Sequence, residues 1–218
     1  MRILLTNFHE TDGGGHTTYV LSLAGGLATR HEVTVAAPPG SRLQREASLL
    51  AGVAVLAQPF PHALNEWFAR RRALRQLSAW FDAHPVDVVQ VAGSADHRLV
   101  LAALRGRRSR PLVVFVRHNS KPLRGFGHRW RARATDLVIA VSAWSRDELA
   151  TTSYRRCRIA LVPNGVDTAR YAPCSAEEAI AARRRWFPDD AAQDESSGPL
   201  VLGSVAGTAT FKGWMHKI

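Results

Sequence analysis

Three things are scarce in this chain: lysine, cysteine and acid. Among 29 basic residues only Lys121, Lys212 and Lys217 are lysines, and 18 Asp+Glu oppose them, which leaves a net charge of +11. Two cysteines, Cys157 and Cys174, exclude a disulfide-stapled scaffold. Neither has metal-ligand spacing around it, and in a cytoplasmic protein both are expected as reduced thiols. No run approaches the roughly 18–20 apolar residues of a membrane span. Met1–Asn7 is too short and too soon polar for a secretory signal. A cytoplasmic protein is expected, with at most peripheral contact at the inner face of the membrane. Neither G-x-G-x-x-G nor G-x-x-x-x-G-K-[ST] occurs, which excludes the dinucleotide fingerprint and the P-loop. Acid is missing altogether from residues 97–135.

What is present is enough to bury a core. Apolar residues make up 46% and charged residues 22%, which excludes a disordered basic tail. Short, nearly continuous apolar runs alternate with helical patterns. The runs are Arg2–Thr6, Glu32–Ala37, Val53–Ala57, Val86–Val91, Leu112–Val116, Leu137–Val141 and Ile159–Val162. Strands that are apolar throughout are buried on both faces, so they predict a parallel sheet with helices on either side. Helices are expected over about 16–29, 41–50, 65–83, 95–105, 143–152 and 175–187, with Ser41 and Ser142 as N-caps. The class expected is α/β, doubly wound and Rossmann-like. Residues 188–199 (PDDAAQDESSGP) read as a linker, and 200–205 (LVLGSV) as a further strand. The division expected is a domain over 1–172, a helix and linker over 173–199, and the start of an incomplete second domain over 200–218.

Four places carry chemistry. Gly13-Gly14-Gly15, between the first strand and the first helix, would let backbone N–H groups approach an anion at a helix N-terminus; a plain tight turn is the other reading. His118, beside Arg117 and Asn119 at the end of a strand, can hydrogen-bond a sugar or phosphate; a solvated loop histidine is the equal alternative by position alone. The acid-free stretch holds eleven bases, among them Arg124, Arg129, Arg131 and Arg133. It reads either as a surface for anionic lipid or a phosphorylated acceptor, or as locally uneven composition. The helix over 65–83 puts Trp67, Leu74, Leu77 and Phe81 on one stripe with arginines around it; packing on the sheet is favoured over lying on a membrane.

These segments together resemble the N-terminal half of a GT-B glycosyltransferase of the large retaining family four. The resemblance rests on MRILLTNFHETDGGGHTTYVLSLAGGLATRHEVTVAAP, VVFVRHNS, ATDLVIAVSAWSRDEL, IALVPNGVDTARYAP and VLGSVAGTATFKGW, in that order. It implies transfer of a sugar, with retention, from a nucleotide-diphosphate donor to an acceptor held by this half. Gly14, Gly15 and His16 would face donor phosphates and the reacting sugar. His118, with Arg117 and Asn119 alongside, would hydrogen-bond the transferred sugar. Lys212 would neutralise the departing diphosphate in place of a metal.

Two features depart from the family's pattern. No Arg lies between Gly203 and Lys212, and the family's downstream glutamate pair has no counterpart here. The chain is therefore expected to be a fragment without independent transferase activity. The acceptor implied is anionic or lipid-linked: a glycolipid, lipopolysaccharide or polysaccharide. A basic lipid- or phosphate-binding module is the alternative from another class. A nucleic-acid-binding protein is the less favoured alternative, because the bases are spread over many elements and form no recognised motif.

Overall fold

The computed structural model describes residues 1–63, 65–118, 123, 125–169 and 171–187. Two compact units meet in sequence at Gly165 and Val166.

In the first unit, seven strands form one sheet: Arg2–Thr6 (β1), Glu32–Ala37 (β2), Val53–Ala57 (β3), Val88–Val91 (β4), Leu112–Arg117 (β5), Leu137–Ala140 (β6) and Arg158–Leu161 (β7). Their order is β3-β2-β1-β4-β5-β6-β7, and every neighbouring pair is parallel. The helices are Gly14–Ala28 (α1), Arg42–Ala47 (α2), Trp67–Ala83 (α3), Ser94–Ala103 (α4), Phe126–Arg133 (α5) and Ala143–Ala150 (α6), followed by a single tight turn over Ser153–Arg156. This is the doubly wound, Rossmann-like α/β fold that the apolar runs require.

Alternation along β1 shows why those runs must be apolar throughout. Leu4 packs into one core, with Ala73, Leu77 and Phe81 of α3 and Leu99 and Val100 of α4. Ile3 and Leu5 point the other way, to Val20 and Ala24 of α1 and Leu43 and Ala47 of α2. Both faces are buried, so neither can be polar. The apolar stripe of α3 is spent on that first core, as the packing reading expects. Only its first turn stays open, with Trp67 47% and Phe68 75% exposed.

Two expected N-caps hold. Ser41 accepts from the Gln44 N–H, and Ser142 from the Ser145 N–H. Most other boundaries move by one to three residues: α1 starts at Gly14 rather than His16, α2 stops at Ala47 rather than Leu50, α3 starts at Trp67 rather than Asn65, β4 begins at Val88 rather than Val86, and β7 covers Arg158–Leu161 rather than Ile159–Val162. Two elements were not anticipated: α5, which occupies part of the acid-free stretch, and the tight turn over Ser153–Arg156.

In the second unit, Ala176–Trp186 (α7) carries a reciprocal N-terminal box. The Ser175 hydroxyl accepts from the Glu178 N–H at 3.2 Å, and the Glu178 carboxylate accepts from the Ser175 N–H at 2.8 Å. The linker and strand expected over 188–218 lie outside the described residues.

Candidate functional site

β1 connects outward to β2 on one side, whereas β4 connects outward to β5 on the other. Loops leaving the carboxyl ends of β1 and β4 therefore diverge and open a crevice, the usual ligand position of such sheets. The glycine turn enters this crevice. Gly13 sits at φ +66°, and a Cβ there would meet the Thr17 hydroxyl and come within 2.9 Å of the His9 Cβ. Both the backbone and the space demand glycine. Gly14 is also left-handed, at φ +50°, and its N–H donates to Asp12 Oδ2 at 2.9 Å. Gly15 faces open space, with nothing within 4 Å of where a Cβ would stand. Asp12 in turn pairs with Arg42 Nη1 at 3.2 Å. A carboxylate thus already occupies the electropositive start of α1.

Beside the turn, three imidazoles gather from distant parts of the chain. The His16 ring lies 4.7 Å from His118 and 5.0 Å from His9, centroid to centroid. Tyr19, one turn further along α1, meets His118 edge-on at 4.5 Å. Burial lowers the His16 pKa to about 4, with the neighbouring His9 adding to it. Burial likewise lowers His118 to about 4, helped by His16. Both rings are neutral at pH 7. Nδ1 of His16 and Nε2 of His118 are buried with no hydrogen-bond partner among the described residues. Such atoms cost about 1–3 kcal/mol each when nothing satisfies them. A neutral imidazole donates one hydrogen bond and accepts one, which suits the hydroxyls of a sugar. Among the described residues, no three His, Cys, Asp or Glu side chains converge as a metal ion needs.

The floor of the crevice holds residues the sequence did not single out. Asp96 on α4 is fully buried and accepts from the Thr6 hydroxyl at 2.7 Å, the Ala92 N–H at 2.8 Å and the Gly93 N–H at 2.9 Å. It ties the end of β1 to the loop after β4. Burial outweighs those bonds and raises its carboxyl to about 6. Gly93 is extended, so space rather than φ requires glycine there: a Cβ would run into the Phe8 ring. A lone acid in the first turn of a helix, directly after a strand, was the available signal for Asp96.

The structure brings Gly14, Gly15, His16 and His118 together. It does not bring Arg117 to them. Side chains alternate along β5, so Arg117 follows Val113 and Phe115 to the opposite face from His118. There it is 2% exposed and paired with Glu148 of α6 at 2.9 Å, which corrects its expected place among the substrate-binding groups. Arg131 is corrected too. It was expected on a surface patch but is 7% exposed, and its charge bears on His97, His128 and Tyr154 in the interior. Other bases of the acid-free stretch find acids from elsewhere in the chain: Arg107 pairs with Asp82 at 2.8 Å, and Arg110 with Asp136 at 2.6 Å. Arg129 and Arg133 remain exposed. Asn119, Arg124 and Lys212 lie outside the described residues.

Residues 13–170 match the sequence profile of Glycosyltransferase Family 4. The chain belongs to Glycosyltransferase Family 4. That match takes in the glycine turn, His16, His118 and the Pro163–Asp167 segment. Among curated proteins, the chain is 27% identical over 179 residues to the GDP-mannose-dependent alpha-(1-6)-phosphatidylinositol monomannoside mannosyltransferase of Mycolicibacterium smegmatis. That alignment covers 78% of this chain and 46% of that protein. A glycosyltransferase structure from Rickettsia africae superposes with a TM-score of 0.69 at 14% identity, over 88% of this chain and 50% of that one. Anabaena HepE in complex with UDP and glucose gives 0.62 at 16%, over 86% and 50%. These structures share the GT-B kind of Rossmann-like fold that the sequence implied. The chain spans about half the length of the relatives it matches.

Proposed function

We propose that this chain is the acceptor-side part of a retaining hexosyl glycosyltransferase. It serves transfer from a nucleotide-diphosphate sugar to a glycolipid, lipopolysaccharide or polysaccharide acceptor. The observation that carries this reading is the neutral His16–His118 pair, with its unpartnered ring nitrogens, beside an open glycine turn at the crevice of a family-four chain. The two imidazoles offer hydrogen bonds to sugar hydroxyls, and their neutrality keeps them from competing for the diphosphate as fixed cations. The start of α1 suits a donor phosphate. Asp12 stands in that position and yields to the phosphate by turning to Arg42. Lys212 supplies the charge for the departing diphosphate, so the reaction needs no metal. The curated relative's name includes GDP-mannose and a phosphatidylinositol mannoside, and the Anabaena structure contains UDP and glucose; both favour a nucleotide sugar as donor. Exposed Trp67 and Phe68, with Arg71 5.0 Å over the Trp67 ring, favour peripheral contact with a membrane that presents the acceptor.

The test is histidine NMR. Titration with phosphatidylinositol monomannoside micelles is expected to shift the His16 and His118 ring resonances and leave His84 in place. Uniform or absent shifts overturn the assignment. Labelled GDP-mannose and UDP-glucose are not expected to yield product with the 218-residue chain alone. Turnover by that chain would overturn the acceptor-side reading.

A further inference from the structure

A second site lies away from the crevice. Between α5 and the Ser153–Arg156 turn is a cleft of about 840 Å³, whose lining includes Arg129, Arg133, Arg155 and Arg156. Most of its wall, from Arg133 to Thr135 and from Thr151 to Cys157, is chain that leads into β6 and β7. Those segments approach the amino-terminal ends of their strands, whereas the histidines and the glycine turn sit at the carboxyl ends. None of His9, Gly14, His16 or His118 lines the cleft.

The charge balance in this cleft is one-sided. The arginines of the lining make no ion pair with any described carboxylate, unlike Arg107, Arg110 and Arg117. The acid in the wall, Glu148, is already neutralised by the buried Arg117 at 2.9 Å. The Thr151 and Thr152 hydroxyls are spent on the Glu148 and Leu149 carbonyls. Four like charges converging on one concavity repel one another unless an anion stands between them. Guanidinium forks match phosphate oxygens in pairs, whereas lysine offers only a point charge.

We propose that this cleft is a second anion site, separate from the sugar-transfer crevice, that takes a phosphoryl or diphosphate group. It draws on Arg129 and Arg133 from α5 and on Arg155 and Arg156 from the turn. The sequence read the first two as part of a continuous basic patch. The fold splits that patch, turns Arg131 inward, and pairs its remainder with two arginines from beyond the acid-free stretch.

The test is calorimetric titration of the full chain with inorganic pyrophosphate. Arg155→Ala/Arg156→Ala and Arg129→Ala/Arg133→Ala are each expected to weaken binding roughly tenfold or more. Arg105→Ala/Arg108→Ala removes the same charge from exposed positions outside the cleft and is expected to change binding less than about twofold. All six positions except Arg129 lie outside α-helices or at a helix end, and circular dichroism checks that each variant folds. Absence of binding, equal losses in the control pair, or a loss that follows His16→Ala instead would each overturn the proposal. Sedimentation with phosphatidylglycerol–phosphatidylcholine vesicles identifies the source of the group. Vesicle binding lost along with pyrophosphate binding assigns a lipid headgroup, and vesicle binding retained assigns a soluble phosphate.

Discussion

Asp96 offers a sharp test of how the crevice is built. Its carboxyl titrates at about 6 in the folded chain against 3.8 as the ordinary value, because burial outweighs the hydrogen bonds it accepts. A raised folded pKa means that the folded state binds a proton which the unfolded state has already released. Stability from this group therefore rises as pH falls through 6 toward 3.8. The difference of about 2.2 units corresponds to about 3 kcal/mol. The buried histidines act in the opposite sense: their depressed pKa values remove stability over the same range, so the wild-type profile alone cannot isolate Asp96. The comparison with Asp96→Asn can. Asparagine does not titrate, and its amide leaves at least one of the Ala92 and Gly93 N–H groups facing another donor. Urea unfolding of both proteins at pH 7.5, 6, 5 and 4 gives the stability difference at each pH. Wild type is expected to gain about 2.4 kcal/mol of that on the variant between pH 7.5 and 4, because the histidine contributions cancel in the difference. A flat difference, or one that shrinks with acid, would refute the claim that burial dominates the Asp96 environment.

Three further outcomes follow from the same geometry. Gly13→Ala forces a left-handed φ on a residue with a Cβ and drives that Cβ into Thr17 and His9, so about 2–4 kcal/mol of stability is expected to disappear in denaturant titration; a loss below about 0.5 kcal/mol would mean the turn relaxes freely. His16 and His118 are expected to titrate near 4 by NMR, with stability falling as pH drops from 6.5 toward 4, since the unfolded chain takes up protons that the folded one refuses; midpoints near 6.5 would remove the neutral pair from the argument. Glu148→Gln removes the carboxylate paired with the buried Arg117 guanidinium and is expected to cost about 3 kcal/mol in thermal or urea unfolding, whereas a neutral result would mean that this pair does not hold Arg117 in place.

What could be read in the chain and what could not divides along a physical line. β1, β2 and β3 match their expected bounds residue for residue, because each is an apolar run closed by a polar residue, a proline or a glycine. α5 escaped notice because it has no apolar periodicity. Four of its eight residues are His or Arg, and of its side chains only Ala132 and Arg131 are buried. The glycine turn and His118 were legible as candidates, since turn chemistry and a strand end are local features. That the two sites touch was not legible, because 102 residues separate His16 from His118 and only the sheet order brings α1 over the end of β5. The shortage of acid in residues 97–135 likewise suggested a free basic surface. Asp82, Asp136 and Glu148 come from outside that stretch to neutralise much of it, and strand alternation turns Arg117 away from the crevice.

By itself, then, the sequence determined the strands, the caps, the parallel class and the family, because hydrophobic patterning and turn residues act over a few positions. The tertiary structure alone decided which charges are spent, which histidines meet and where four arginines are left facing one another. Those outcomes depend on distances between residues far apart along the chain.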